Sequence, residues 1–447
     1  MNKSRREFLR RSGQAALGAS MLGLLDPSRL AFADSEETRD CPTLLCVYLR
    51  GGADSLNAIV PYGDPLYYQL RPTIGIPAEA DGEDPGVIKL NKMFGLNPAM
   101  APLHPLFEKG LVAPIMNVGS THTTRSHFDA QDFMEYAAPG VRTLTDGWLA
   151  RYLLATTKGN GDSELRALAM QSLLPRSIRG EYPVLAVPDA DPDQALTAFG
   201  KLYESCNEDV AMQRAQMAKE KAKDGMDQMA GKDDASKGER ENRHSIVTSG
   251  ANTVRTLKRL RAITSAGASA PGATYPASRF GEQLRSLSRV IKARVGLEIA
   301  AVDVRGWDHH ARQGSTDGVY HRMLSDVSAS LAAFVTDLGP LVDKTCVLVM
   351  SEFGRTVREN GNNGSDHGHG GFMLALGGMV KGNHVYGKWT GLEESKLYEG
   401  RDMPVHTDFR LVFAEVLKRV FKYDALDKDF FPGYKPDDKP LDFLKQL

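Results

Sequence analysis

Five short apolar runs, each closed by a glycine-rich or polar turn, restrict this chain more than any other feature. They span residues 43–49, 111–118, 297–304, 345–350 and 372–376. Runs this short, apolar almost throughout and rich in β-branched residues, suit strands covered on both faces, as in a parallel sheet. Between them lie helical patterns. The clearest covers residues 279–295, where Phe280, Leu284, Leu287, Ile291 and Val295 form one apolar stripe. Strands alternating with helices predict an α/β fold: a mainly parallel central sheet flanked by helices. No internal repeat is present, and 447 residues are enough for one large domain.

One region does not fit this pattern. Residues 207–243 are rich in Lys, Glu, Asp, Gln, Met and Ala and have little apolar face, which reads as a solvated helix or a partly disordered insertion. Residues 265–276 are small and flexible, like a linker back into the core. Together, residues 207–276 read as a charged helical insertion with its linker.

The N-terminus carries an address. Ser4-Arg5-Arg6-Glu7-Phe8-Leu9-Arg10 places an arginine pair before an apolar pair, residues 15–25 form an uncharged apolar run, and Ala31-Phe32-Ala33 offers small residues at a cleavage point. These are the regions of a twin-arginine signal peptide in order, with residues 1–33 removed and residues 34–447 forming the mature domain. The expectation is export, already folded, by the twin-arginine (Tat) translocase to the periplasm or beyond. The apolar run falls short of the roughly 20 residues that span a bilayer. No cysteine directly follows the cleavage point, so no stable membrane anchor is expected.

Removing the signal takes the formal charge from −1 to −5. Nucleic acid is then excluded as a partner, since phosphate backbones require basic surfaces. Four cysteines are too few for a disulfide framework. Cys46 and Cys346 sit inside strand-like runs as buried thiols, while Cys41 and Cys206 are the two able to pair.

The polar residues gather where the runs end. Asp54 follows the first run, and the second leads into His122-Thr123-Thr124-Arg125-Ser126-His127-Phe128-Asp129. The third ends at Gly306-Trp307-Asp308-His309-His310. The fourth ends at Ser351-Glu352-Phe353-Gly354-Arg355, with Asp366-His367-Gly368-His369 beyond it. Open α/β sheets bind ligands outside the carboxyl ends of their strands. Six of eleven histidines fall in three of these segments. Mixed Asp, Glu and His donors suit a divalent metal such as zinc, manganese or iron rather than calcium. Zinc or manganese, as one or two ions, is the expected cofactor.

Leu49-Arg50-Gly51-Gly52-Ala53-Asp54, the stretch from Arg125 to Gln131, Gly306-Trp307-Asp308-His309-His310, Ser351-Glu352-Phe353-Gly354-Arg355 and Asp366-His367-Gly368 carry a resemblance. The chain resembles the bacterial family called domain of unknown function 1501, placed in the alkaline phosphatase and sulfatase superfamily. That resemblance implies an alkaline phosphatase-like fold and a two-metal site acting on phosphate or sulfate esters, with a small anionic ester as substrate. It implies Asp54 and Glu352 on one metal, Asp308, His310 and His367 on the other, and Ser126 as nucleophile. Asp366, His369 or His127 would make up a missing ligand. Arg125 and Arg355 are the candidates to clamp the ester's free oxygens.

Two departures stand out. Relatives in the superfamily carry an adjacent Asp-His pair where this chain has Glu352-Phe353, and phenylalanine binds no metal. Thr124 and Ser55 compete with Ser126 as nucleophile. A hydrolase is the first expectation, and a non-catalytic binding or assembly protein with a partial metal site is the second. No cysteine cluster or dinucleotide-binding glycine motif supports a redox protein.

Overall fold

A computed structural model describes residues 40–82, 85–158, 163–187, 253–434 and 439–446. The signal sequence, Cys206 and the charged stretch 207–243 lie outside the described residues.

Eleven strands are described, numbered in chain order. β1 is Thr43–Arg50, β2 Ile59–Val60, β3 Ile88–Lys89, β4 Gly95–Leu96, β5 Val112–Gly119, β6 Ala167–Ala169, β7 Leu185–Ala186, β8 Ile299–Arg305, β9 Thr345–Met350, β10 Gly371–Leu376 and β11 Thr407–Asp408. Eight form the central sheet in the order β11-β5-β10-β9-β1-β8-β6-β7, and β2-β4-β3 form a small second sheet. The helices of eight residues or more are α1 His127–Glu135, α2 Trp148–Ala155, α3 (residues 253–265), α4 Arg279–Lys292, α5 Gly318–Leu338 and α6 Phe409–Phe421. The protein is therefore α/β with a mostly parallel sheet flanked by helices.

β1 shows why a continuous apolar run was required. Leu45, Val47 and Leu49 point to one side, packing with α4 and α5; Leu44, Cys46 and Tyr48 point to the other, packing with α2 and α6. Side chains alternate across a strand, so a strand with helices on both sides must be apolar at every position. Cys46 and Cys346 are buried free thiols, and Cys41 is half-buried and free.

Helix α4 follows its predicted stripe. Phe280, Leu284, Leu287 and Ile291 are buried against the sheet, and Ser278 Oγ caps the helix by accepting from Gly281 N at 3.0 Å. Glu282 in the first turn and Arg289 and Lys292 in the last complement the helix dipole. Truncating fully buried Leu284 to alanine costs about 2–5 kcal/mol of stability.

One expectation is corrected. β10 runs antiparallel to both neighbours, β5 and β9; an apolar run reports burial on two faces, not strand direction. Within residues 207–276, read as a charged helical insertion with its linker, the described residues 253–265 form α3, which buries Leu257 and Leu260 in the core. Among the described residues, no helix is long and apolar enough to cross a membrane.

Strand direction fixes where the chemistry lies. β1 is parallel to β8 and β9, and β5, reached through antiparallel β10, points the same way. The carboxyl ends of β1, β5, β8 and β9 therefore share one edge of the sheet, with the amino end of β10 beside them.

Candidate metal centre

Helix α1 brings the first functional side chains to that edge. His127, Gln131 and Glu135 are spaced four residues apart, so they form one ridge along the helix. His127 Nδ1 lies 2.8 Å from Glu352 Oε1, and Gln131 Nε2 donates to the same oxygen at 2.8 Å. At the far end, Glu135 holds Arg50 through both carboxylate oxygens, at 2.9 and 3.1 Å. Arg50 also donates to Gln131 and Asp303, which closes the network beneath the site.

Three imidazoles and one carboxylate converge above it. His310 Nε2 and His367 Nε2 stand 2.9 Å apart, and each is 3.1 Å from Asp308 Oδ1. His127 Nε2 is 3.4 Å from the same oxygen and, although buried, has no hydrogen-bond partner. Among the described residues, the donor atoms of His127, Asp308 and His367 all lie within 4.8 Å of one another.

The second nitrogen of each ring is already engaged. His127 Nδ1 faces Glu352, His310 Nδ1 lies 2.9 Å from Asp366 Oδ1, and His367 Nδ1 lies 2.8 Å from the Arg125 carbonyl oxygen. Each partner is an acceptor, which favours the proton on Nδ1 when the ring is neutral. In the neutral rings, the three Nε2 atoms present lone pairs toward the Asp308 carboxylate. Lone pairs repel one another at such distances, and a cation among them removes the conflict. An imidazole whose other nitrogen is held by a carboxylate or carbonyl is the usual arrangement of a metal ligand.

The electrostatics follow from these partners. Burial pushes the Asp308 carboxyl up, but the Arg355 hydrogen bond and charge, with His367 and His310, outweigh it and hold the group at about 2. Burial lowers His367 below its ordinary value. Burial also lowers His127, yet Glu352 and Asp308 more than offset it, so His127 ends raised. Glu352 and Asp366 are both pushed up by burial and brought below the usual carboxylate range by hydrogen bonds, chiefly from His127 and His310 respectively.

Glycines let the loops meet. A side chain at Gly51, with φ +126°, would place its Cβ 2.6 Å from the backbone nitrogen of Asp308, and one at Gly368 would lie 2.6 Å from the Arg355 backbone. Arg355 itself is buried and donates to the carbonyls of Gly51, Gly52, Trp307 and Ser365, and to Asp308 Oδ1 at 2.6 Å.

The structure brings together Asp308, His310, His367, Glu352 and Asp366, with Glu352 and Asp366 behind the rings. Asp54 stands apart. Its Oδ2 accepts from Arg71 Nη1 and Gln313 Nε2, both at 2.6 Å, and its Oδ1 accepts from Leu56 N. Asp54 and Glu352, the pair implied on a first metal, are each held by internal donors instead. Arg355 and Arg125 are likewise not free clamps. Arg125 is tied to Asp402 and Glu399. Ser126 is the N-cap residue of α1 and is exposed, and its side chain makes no capping hydrogen bond.

His127, only a fallback in the sequence, is central here. Its ring packs against Phe353, with centroids 4.9 Å apart. Gln131 gave no signal beyond its place in a motif, and Gln313 lies outside the motifs.

A search of the curated proteins returned no match. The family model described as "Protein of unknown function (DUF1501)" matches residues 42–429, a span that holds every residue of the cluster. The chain belongs to that family.

Proposed function

We propose that this protein is a metal-dependent hydrolase of phosphate or sulfate esters that works outside the cytoplasm after twin-arginine export. The observation that carries the reading is the meeting of three imidazole Nε2 atoms at one carboxylate, with every Nδ1 held by an acceptor. Nitrogen-rich donors with one carboxylate fit zinc or manganese. His127, Asp308 and His367 would hold a single ion, with His310 beside them and Glu352 and Asp366 orienting His127 and His310. This is one ion rather than the implied two, because Asp54 is balanced by Arg71.

A divalent ion bound there supplies Lewis acidity at the phosphorus or sulfur of the ester and neutralises its charge. The chain's own contribution begins at Ser126. Its hydroxyl has no capping role, and the backbone N–H groups at the start of α1 favour an anion. In the proposed reaction Ser126 Oγ bonds to phosphorus or sulfur, the ester bond breaks, and the hydroxyl proton ends on the departing alcohol. Water then releases the anion and restores the serine. The same alkaline phosphatase-like resemblance and the arginine pair Arg5-Arg6 support the class of reaction and its location.

A second reading has its own support. Phe353 in place of a ligand and the inward commitment of Asp54, Arg125 and Arg355 favour a metal-binding or assembly protein without catalysis.

Metal analysis of the purified chain followed by a screen of phosphate and sulfate esters separates the two. The hydrolase reading expects stoichiometric zinc or manganese and turnover lost in Ser126→Ala and Asp308→Ala. Bound metal with no ester cleaved favours the second reading, and no bound metal with no cleavage ends the first. Retention in the cytoplasm after Arg5→Lys with Arg6→Lys tests the export route.

A further inference from the structure

We propose that Asp402 is a positioning residue that aims His367 at the centre, acting through the backbone of Arg125. The inference rests on the metal-centre reading and adds a residue some 35 positions beyond the cluster in sequence.

Asp402 is completely buried. Its Oδ2 accepts from Arg125 Nε at 3.0 Å and Arg125 Nη2 at 2.7 Å, and it lies 2.8 Å from His369 Nδ1. Its Oδ1 accepts from Arg401 Nε at 2.9 Å. Each of these partners reaches the neighbourhood of His367 by a different path. The Arg125 carbonyl takes the His367 Nδ1 proton at 2.8 Å, and Arg401 Nη2 donates to the His367 carbonyl at 2.7 Å. His369, two residues on, ties Asp402 to the Thr123 carbonyl at 3.1 Å. One carboxylate therefore joins two loops, residues 123–126 after β5 and residues 366–369 before β10.

The consequence follows from what an imidazole ligand needs. Its second nitrogen must be held, or the ring populates the wrong tautomer and swings out of plane. For His127 and His310 the holder is a carboxylate, whereas for His367 it is a main-chain oxygen, which is only as fixed as its own residue. The Arg125 side chain, with two donors on one Asp402 oxygen, supplies that fixity.

The test uses the full chain with four forms: wild type, Asp402→Asn, Arg125→Met and Glu399→Gln. The last removes the exposed partner of Arg125 and leaves Asp402 intact. Two quantities are read: the Co(II) dissociation constant from visible absorption, and the His367 tautomer in metal-free protein from nitrogen-15 histidine spectra. Asp402→Asn and Arg125→Met are expected to weaken Co(II) binding about 10–100-fold, the range for lost outer partners. They also move His367 from a pure Nδ1–H form to a mixture. Glu399→Gln stays within about twofold, because exposed ion pairs contribute little. Co(II) affinities within about twofold of wild type and an unchanged His367 tautomer in both variants would overturn the proposal. Arg125→Met, at a part-exposed side chain, decides the question alone if Asp402→Asn does not fold. A wild-type chain that binds no Co(II) ends the metal-centre reading, and the tautomer in the metal-free variants still decides the role of Asp402.

Discussion

Two carboxylates, Asp54 and Asp308, follow adjacent parallel strands by four and three residues, and the fold treats them in opposite ways. Asp54 is 2% exposed and is matched by fully buried Arg71, which also donates to Asn57 and to the carbonyls of Thr356 and Val357. Asp308 has a side chain 43% exposed and faces three imidazoles. A carboxylate enclosed with its own cation has nothing left to offer an incoming ion. A carboxylate at the surface, ion-paired to Arg355 through Oδ1 and ringed by three imidazoles, does. The contrast sets Asp54 in the scaffold and Asp308 in the candidate site, although the sequence presents both as an aspartate just past a strand.

The largest expected effect breaks the scaffold half of this contrast. Arg71→Met leaves a buried, unpaired Asp54 and should cost about 3–5 kcal/mol in chemical denaturation. Adding Asp54→Asn should recover part of that loss, and Co(II) affinity measured in the double variant should stay near wild type. A large fall in affinity there would return Asp54 to the metal site. Next comes Asp308→Asn, which should weaken Co(II) binding by more than the roughly 10–100-fold cost of an outer partner. Glu352→Gln falls within that range, because it weakens the hold on His127 without removing a ligand; the same titration checks both.

Acidification sharpens the comparison with smaller effects. Metal binding requires neutral rings, so affinity should fall with pH, and His127, whose pKa is raised, competes for a proton first while His367 stays neutral to lower pH. Metal titrations between pH 8 and about 5 follow this. Smallest of all is a stability term from Asp308. Its folded pKa of about 2 lies below the ordinary 3.8, so its contribution is present above pH 3.8 and is lost as pH falls through about 2. Its exposure keeps the term small. Melting curves of metal-free wild type and Asp308→Asn should converge toward pH 2.

Much of this was legible in the sequence because it depends on local pattern. The five apolar runs became β1, β5, β8, β9 and β10, and the polar residues after four of them meet at one edge. What escaped depends on distant partners. Nothing near Asp54 announces that Arg71, 17 residues on, turns inward to neutralise it. The buried Arg355 and the tethered Arg125 look, as letters, like any arginine near an anion site. The short strands β6, β7 and β11 carry two or three residues each, too few for a period to register. Helix α3 was hidden by the charged stretch before it, although Leu257 and Leu260 stand at helical spacing.

Antiparallel β10 has a consequence beyond topology. A parallel strand in its place would need a connection that climbs back along the whole sheet. Because β10 starts where β9 stops, the chain between them stays on one rim, folding on itself through the Arg355–His367 bridge. Glu352, Arg355, Asp366, His367 and His369 all travel on that single stretch of twenty residues. Much of the candidate centre is thus carried on one connection between β9 and β10, and its spacing depends on that single loop rather than on the strands beneath it.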